Sequence, residues 1–134
     1  MLNAAARMVF NLRRYDHVTD ALAILHWLRI PERVDFKLAV MAFSVLHGQA
    51  PLYLRRLVQV ADLPGRQRLR SATSHQLSVP AYRLSTVGRR SFFVAAPTVW
   101  NTLPVAVQSS PTLTVFRQRL KTHLFTRSFP HILL

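Results

Sequence analysis

Residues 31–48, PERVDFKLAVMAFSVLHG, predict the central helix of the fold. Pro31 suits the first turn, where a helix does not use the N–H that proline lacks, and the negative charge of Glu32 is favourable beside it. Gly48 is a common helix stop, so we expect the helix to reach His47. One apolar stripe at helical spacing consists of Val34, Leu38, Met41 and Val45. Because apolar residues lie nearly all round the segment, we expect a buried helix that forms the core.

Shorter helices are predicted on both sides of this central helix. Residues 2–14 contain strong helix formers and neither Gly nor Pro. Residues 18–28 predict a second helix, for which Thr19 or Asp20 supplies the N-cap. A further short helix is predicted over residues 52–60, directly after a proline.

The last predicted helix is amphipathic and basic. Ser109 or Ser110 can cap it, and Pro111 fits its first turn. Its apolar stripe consists of Leu113, Phe116, Leu120 and Leu124. Basic residues flank the stripe: Arg117 and Lys121 on one side, Arg119 and His123 on the other. Such a helix can dock on the core, contact phosphates or lie on an anionic membrane, and we favour docking on the core.

The chain as a whole predicts a mainly α fold class. We expect a small helical domain of about five helices, with a short extended or irregular middle section over residues 63–104. Within it, residues 71–90 lack helical periodicity and suggest short extended pieces. We divide the chain into a helical part, residues 1–62, and a basic part, residues 63–134, and expect them to pack as one unit.

The charge balance is strongly basic. The chain has 18 Lys and Arg residues against 5 Asp and Glu, a formal net charge of +13. All five acidic residues precede residue 63, so the first 62 residues, with eight basic side chains, carry +3 and the remainder +10. A half-chain this basic is expected to bind polyanions such as RNA, DNA or an anionic membrane. Alternatively, some Arg stems cover apolar surface and keep their charged heads in water.

The predicted nucleic-acid-binding residues are the basic side chains that occur in clusters. They are Arg66, Arg68, Arg70, Arg89, Arg90, Arg117, Arg119 and Lys121. Nothing in the sequence indicates a motif that reads base edges, so we expect contacts to RNA or DNA phosphates with little sequence preference. The aromatic candidates for stacking on bases are Tyr82, Phe92, Phe93 and Trp100. For Phe93 and Trp100 we favour packing in the core.

Catalytic motifs are missing from the sequence. The chain has no cysteine and no Asp-Asp pair, and no two of its six histidines have the spacing of a helical zinc site. Asp16 and Asp20 are spaced i,i+4, but capping and surface roles explain both. No glycine-rich phosphate loop is visible among three scattered glycines. We therefore predict a non-enzyme without catalytic residues, metal, cofactor or small-molecule substrate.

Several blocks of the sequence carry a family resemblance. They occur in this order: NAAARMVFNLRRYDHVTDALAILHWL (3–28), RVDFKLAVMAFSVLHGQAPLYL (33–54), RLRS (68–71), GRRSFFVAAPTVWNTLP (88–104) and FRQRLKTHLF (116–125). Together they resemble the C-terminal thumb and post-polymerase region of LINE-type non-LTR retrotransposon reverse transcriptase polyproteins. The resemblance implies an RNA-directed DNA polymerase whose catalytic aspartates lie upstream of this chain. It also implies a truncated, adopted or decayed copy, with a polymerase domain supplied by a full-length element as a possible partner.

Four functions remain open from the sequence. The leading hypothesis is a non-catalytic nucleic-acid-binding fragment, nuclear or cytoplasmic, for which no membrane contact is expected. The second is a structural remnant of a retroelement polyprotein without a function of its own. The third is binding to anionic membrane surfaces through the basic final helix. The fourth is a small basic organelle protein, since the first 15 residues faintly resemble a mitochondrial presequence.

Overall fold

The computed structural model describes residues 1–57, residue 62 and residues 75–132. The α-helices in these ranges are α1 (Leu2–Val9), α2 (Thr19–Ile24), α3 (Ile30–Leu46), α4 (Phe92–Asn101), α5 (Val105–Gln108) and α6 (Leu113–Ser128). Two 3-10 helices lie at Leu52–Leu54 and Gly88–Arg90. The described part of the chain contains no β-strand. The mainly α fold class is therefore confirmed.

The first helix ends well before the predicted boundary at residue 14. Asn11 adopts a left-handed conformation with φ of 51°, directly after α1. The Leu12 N–H then donates to the Arg7 carbonyl at 2.9 Å and the Asn11 N–H to the Met8 carbonyl at 3.3 Å. This is a Schellman motif, which satisfies the last helical carbonyls and turns the chain away from the helix axis.

The same motif ends α2 and α3. His26 has φ of 54°, and the Trp27 N–H donates to the Leu22 carbonyl at 2.9 Å, so α2 ends at Ile24 rather than at residue 28. Gly48 has φ of 69° and follows α3 as predicted. The predicted range of the central helix is thus confirmed. The second helix is shorter than expected, because His26 takes the left-handed position after the helix end that glycine usually fills.

The helix α3 forms the centre of the fold, as predicted, but it is not buried all round. It packs against α4 and α6. Its buried residues are Ala39, Ala42, Phe43 and Val45. Val34 and Met41, two members of the predicted stripe, are exposed by 52% and 44%. The expectation of burial nearly all round was therefore wrong, although Val45 of the stripe is buried. The neighbours α4 and α6 cover the face with Ala39 and Ala42, because small side chains allow them to approach closely.

The middle section contains a helix that the sequence analysis did not assign. Residues 92–101 form α4, although we expected extended or irregular structure over residues 63–104. Pro97 lies inside α4 and is buried, and the Thr98 hydroxyl donates to the Val94 carbonyl at 2.7 Å in the same turn. Trp100 is buried in the core as predicted, and Phe93 is half-buried.

The final helix docks on the core, as we favoured. Its stripe residues Phe116, Leu120 and Leu124 are fully buried. The Phe116 ring stacks on Phe43 of α3, with ring centroids 4.5 Å apart. The predicted capping serines are not used: Thr112 is the N-cap, and its hydroxyl accepts from the Val115 N–H at 3.3 Å. A single hydrophobic cluster joins residues from the helical and the basic part of the chain.

Where the structure describes the helix predicted over residues 52–60, Leu52–Leu54 form a 3-10 helix and Arg55 and Arg56 form a turn. Residues 58–60 of that prediction lie outside the described residues. The extended pieces predicted within residues 71–90 are not found in the described residues 75–90, where Leu77 forms a single isolated bridge.

Candidate nucleic-acid interface

The predicted basic residues fall into three groups in the structure. Arg66, Arg68 and Arg70 lie outside the described residues. Arg89 and Arg90 are exposed in the 3-10 helix directly before α4. Arg117, Arg119 and Lys121 are exposed on α6.

The basic residues of α6 divide between two sides of the helix. Arg117 and Lys121 are one turn apart and face a concave surface shared with α3. The Arg119 guanidinium instead donates to the Ala106 carbonyl of α5 at 2.8 Å. Arg119 therefore ties α5 to α6, which gives it a structural contact that the sequence did not indicate.

Two adjoining cavities form an open groove along α3 and α6, which we call the α3–α6 groove. Their volumes are about 570 Å³ and about 500 Å³, and they share Phe36 and Lys37. The larger cavity is also lined by Leu2, His26, Trp27, Leu28, Arg33 and Lys121. The smaller cavity is also lined by Val40, Met41, Ser44 and Arg117. The groove thus has an apolar surface interrupted by basic side chains.

Four basic residues line this groove without an acidic lining residue: Arg33, Lys37, Arg117 and Lys121. Each helix contributes two of them at i,i+4 spacing, so both lie on one helical face. Arg33 and Lys37 were not among the predicted site residues. Their spacing was visible in the sequence, but only the packing of α3 against α6 shows that they share a groove with Arg117 and Lys121.

Several other basic residues are engaged in holding the fold. The Arg7 guanidinium donates to the carbonyls of Arg13 and Asp16 at 2.6 and 2.8 Å, and so closes the loop after α1. Arg127 of α6 forms an ion pair with Asp35 of α3. Because these groups already have partners, the number of basic residues alone overstates the positive surface open to a polyanion.

His123 lies on α6, close to Arg127. Its imidazole is partly buried, and this burial lowers its pKa below the ordinary value of 6.5, with a second contribution from the positive charge of Arg127. Both effects disfavour the protonated ring. His123 therefore adds no positive charge to α6 near neutral pH.

The aromatic residues of the groove are not the predicted ones. Trp27 and Phe36 line it and are half-buried. Among the predicted stacking residues, Trp100 is only 1% exposed, which removes it as a partner for bases. Trp27 could not be predicted as a groove residue, because its position depends on the left-handed turn at His26.

No protein-family model, no curated protein and no solved structure matches this chain. The resemblance to LINE-type polyproteins therefore depends on the sequence blocks alone. None of the helices in the described ranges is both long and apolar enough to cross a membrane. Within the same ranges, no group of three His, Asp or Glu side chains is arranged to hold a metal ion.

Proposed function

We propose that the chain is a non-catalytic protein that binds the phosphate backbone of RNA or DNA through the α3–α6 groove. The observation that supports this most directly is the joint lining of the groove by Arg33, Lys37, Arg117 and Lys121 without a carboxylate. A concave surface with charges of one sign concentrates the electrostatic potential and attracts the opposite charge. Phosphates are the polyanionic groups that Arg and Lys bind most widely.

The proposal agrees with the distribution of charge along the chain. The net charge of +13 attracts polyanions to the chain as a whole. The cations of the groove define one place on its surface where a polyanion would bind. The proposal also agrees with the resemblance to the C-terminal region of LINE-type polyproteins, which handle both RNA and DNA. A nuclear or cytoplasmic location would bring the chain to either nucleic acid.

The test is a salt titration of the binding of the full chain to a labelled single-stranded RNA and a matching DNA duplex. If all four groove residues meet phosphates, the slope of log K against log salt is about −2.8 for the single strand and about −3.6 for the duplex. The groove variant is Lys37→Gln with Lys121→Gln. The control variant, Arg14→Gln with Arg56→Gln, removes the same charge from exposed residues that do not line the groove.

The groove variant should flatten the slope by about 1.4 for the single strand, because two phosphate contacts are lost. The control should change the slope by clearly less. An equal loss in both variants would contradict a defined interface, because it would show that the total charge alone drives binding. Absence of binding at low salt would reject the proposed function altogether.

A second candidate function is docking on a separate protein domain. Outside the groove lining, α3 exposes Ile30 and Val34, which are 59% and 52% exposed. Exposed apolar surface of this kind often marks a protein contact. By the resemblance, the partner would be a polymerase domain. Replacing Ile30 and Val34 by Gln should then improve the solubility of the chain without changing its affinity for nucleic acid.

A further inference from the structure

The α3–α6 groove contains a surface that phosphate binding does not use. Besides the basic residues, the half-buried side chains of Trp27, Phe36 and Val40 line the groove. A duplex presents phosphates on its outside and keeps its base faces stacked inside, so it would leave this apolar surface without a partner. A single strand exposes both phosphates and base faces, and base faces stack on aromatic side chains.

From this combination we infer that the groove takes single-stranded nucleic acid, with a base against Trp27 and phosphates on the groove cations. The inference rests on the proposed function and names its substrate class. It treats RNA and DNA alike, because stacking and phosphate contacts are common to both.

Backbone geometry fixes the position of Trp27. His26, with φ of 54°, turns the chain at the end of α2, and the Trp27 N–H is held by the Leu22 carbonyl at 2.9 Å. Leu28, the next residue, is buried in the core. Because both neighbours are constrained, the backbone of Trp27 is held beside the larger cavity, which its half-buried side chain lines.

The dimensions of the groove suit a strand with its bases turned inward. The two cavities, about 570 and about 500 Å³, are each within the range of roughly 300–1,000 Å³ that is typical of sites for small organic molecules. Lys37 lines both cavities, Lys121 the larger one and Arg117 the smaller one. A phosphate that joins two nucleotides can therefore lie beside Lys37 while a base occupies each cavity.

The experiment compares three labelled probes of about 12 nucleotides with the full chain at one salt concentration. They are an oligothymidylate, an abasic strand of the same length and charge, and a duplex of that length. The same set is repeated with an oligouridylate. Vesicles of phosphatidylserine and phosphatidylcholine are added as competitors, since an anionic membrane would satisfy the cations but not the stacking surface.

We expect the oligothymidylate and the oligouridylate to bind roughly five-fold or more tightly than the abasic strand, as one stacked base contributes that much. The tryptophan fluorescence of a Trp100→Phe variant, which leaves Trp27 as the single tryptophan, should be quenched by the strands with bases and not by the abasic strand.

Equal affinity for strand, abasic strand and duplex, with unchanged fluorescence, would overturn the inference and leave the proposed function standing. Salt-insensitive binding, or none, would reject the proposed function itself. Vesicles that displace all probes and quench the fluorescence of Trp27 as strongly as the strands do would overturn the inference, because they would indicate that the groove binds an anionic membrane surface.

Two substitutions of Trp27 separate stacking from folding. Trp27→Leu keeps an apolar side chain at the edge of the core but removes the ring, so the affinity for the strands with bases should fall towards that for the abasic strand. Trp27→Phe keeps an aromatic ring and should restore most of the affinity. A Trp27→Leu variant that is folded by circular dichroism and binds as tightly as the wild type would overturn the inference.

Discussion

Asn101 binds both backbone polar groups of Leu77. Its Oδ1 accepts from the Leu77 N–H at 2.8 Å, and its Nδ2 donates to the Leu77 carbonyl at 2.9 Å. Trp100, the preceding residue, donates its Nε1–H to the His75 carbonyl at 2.7 Å. Two successive side chains at the end of α4 therefore hold residues 75–77 on the core, and Leu77 is only 1% exposed. The amide of Asn101 thus satisfies both polar backbone groups of a buried residue.

Asn101→Ala should lower the free energy of unfolding by about 2–4 kcal/mol, because two hydrogen bonds are lost and the backbone groups of a buried residue remain unpaired. Urea unfolding followed by circular dichroism measures the change. Thr102→Ala is the matched control, since the Thr102 hydroxyl donates to Val99 at an exposed position. A loss below about 1 kcal/mol for Asn101→Ala would show that water replaces the amide.

Two glycines should respond to alanine for different reasons. At Gly48 an added Cβ meets nothing within 4 Å, so Gly48→Ala should lower the free energy of unfolding only through the left-handed backbone, by about 1 kcal/mol.

At Gly88 the Cβ would lie 2.7 Å from the Tyr82 Cβ, so Gly88→Ala should lower the free energy of unfolding by about 1–3 kcal/mol through the clash. Combining Gly88→Ala with Tyr82→Gly should recover part of that loss. Additive losses in the double variant would exclude the clash as the cause.

Arg117 and Arg119 of α6 should separate binding from stability. Arg117→Gln removes a cation that lines the α3–α6 groove, so it should weaken nucleic-acid binding and leave the unfolding free energy nearly unchanged. Arg119→Gln removes the hydrogen bond to Ala106, so it should lower the unfolding free energy by about 0.5–1.5 kcal/mol. Unfolding curves and binding titrations on both variants check the difference. The opposite pattern would show that Arg119, rather than Arg117, faces the nucleic acid.

His123 should make the fold less stable in mild acid. Because the folded state lowers the pKa of His123 below its ordinary value of 6.5, the unfolded chain takes up the proton first as the pH falls. Its contribution to stability is therefore complete above about pH 6.5 and is lost as the pH falls through the lowered pKa. Unfolding free energies of wild type and His123→Gln at about pH 7.5 and about pH 5 isolate this effect. Parallel pH profiles of the two proteins would contradict it.

Replacing Arg127, which pairs with Asp35, tests what lowers the pKa of His123. Arg127→Gln removes the positive charge that contributes to the low pKa of His123, so the pKa should move back towards 6.5 while burial still holds it below that value. Nuclear magnetic resonance titration of the imidazole measures the change. A pKa that does not move would assign the whole shift to burial.

Helix boundaries show how local signals succeed or fail in this chain. Gly48 was read correctly because glycine is the residue that most readily takes a left-handed conformation at a helix end. Asn11 and His26 take the same conformation, but a side chain makes the left-handed region less favourable than it is for glycine. Neither was therefore read as a helix stop, and α1 and α2 were predicted too long. The helix α4 was not assigned because Pro97 normally interrupts a helix, whereas here the ring is buried in the core.

The sequence by itself determined the helical class, the central and final helices, the buried stripe of Phe116, Leu120 and Leu124, and the excess of positive charge. These follow from periodicity, capping residues and composition, which act over a few neighbouring positions. Only the tertiary structure decided which face of α3 is buried and that Arg33 and Lys37 lie with Arg117 and Lys121 along one groove. The reason is that a groove between two helices depends on how they pack, and residues some 80 positions apart in the chain carry no local signal of their contact.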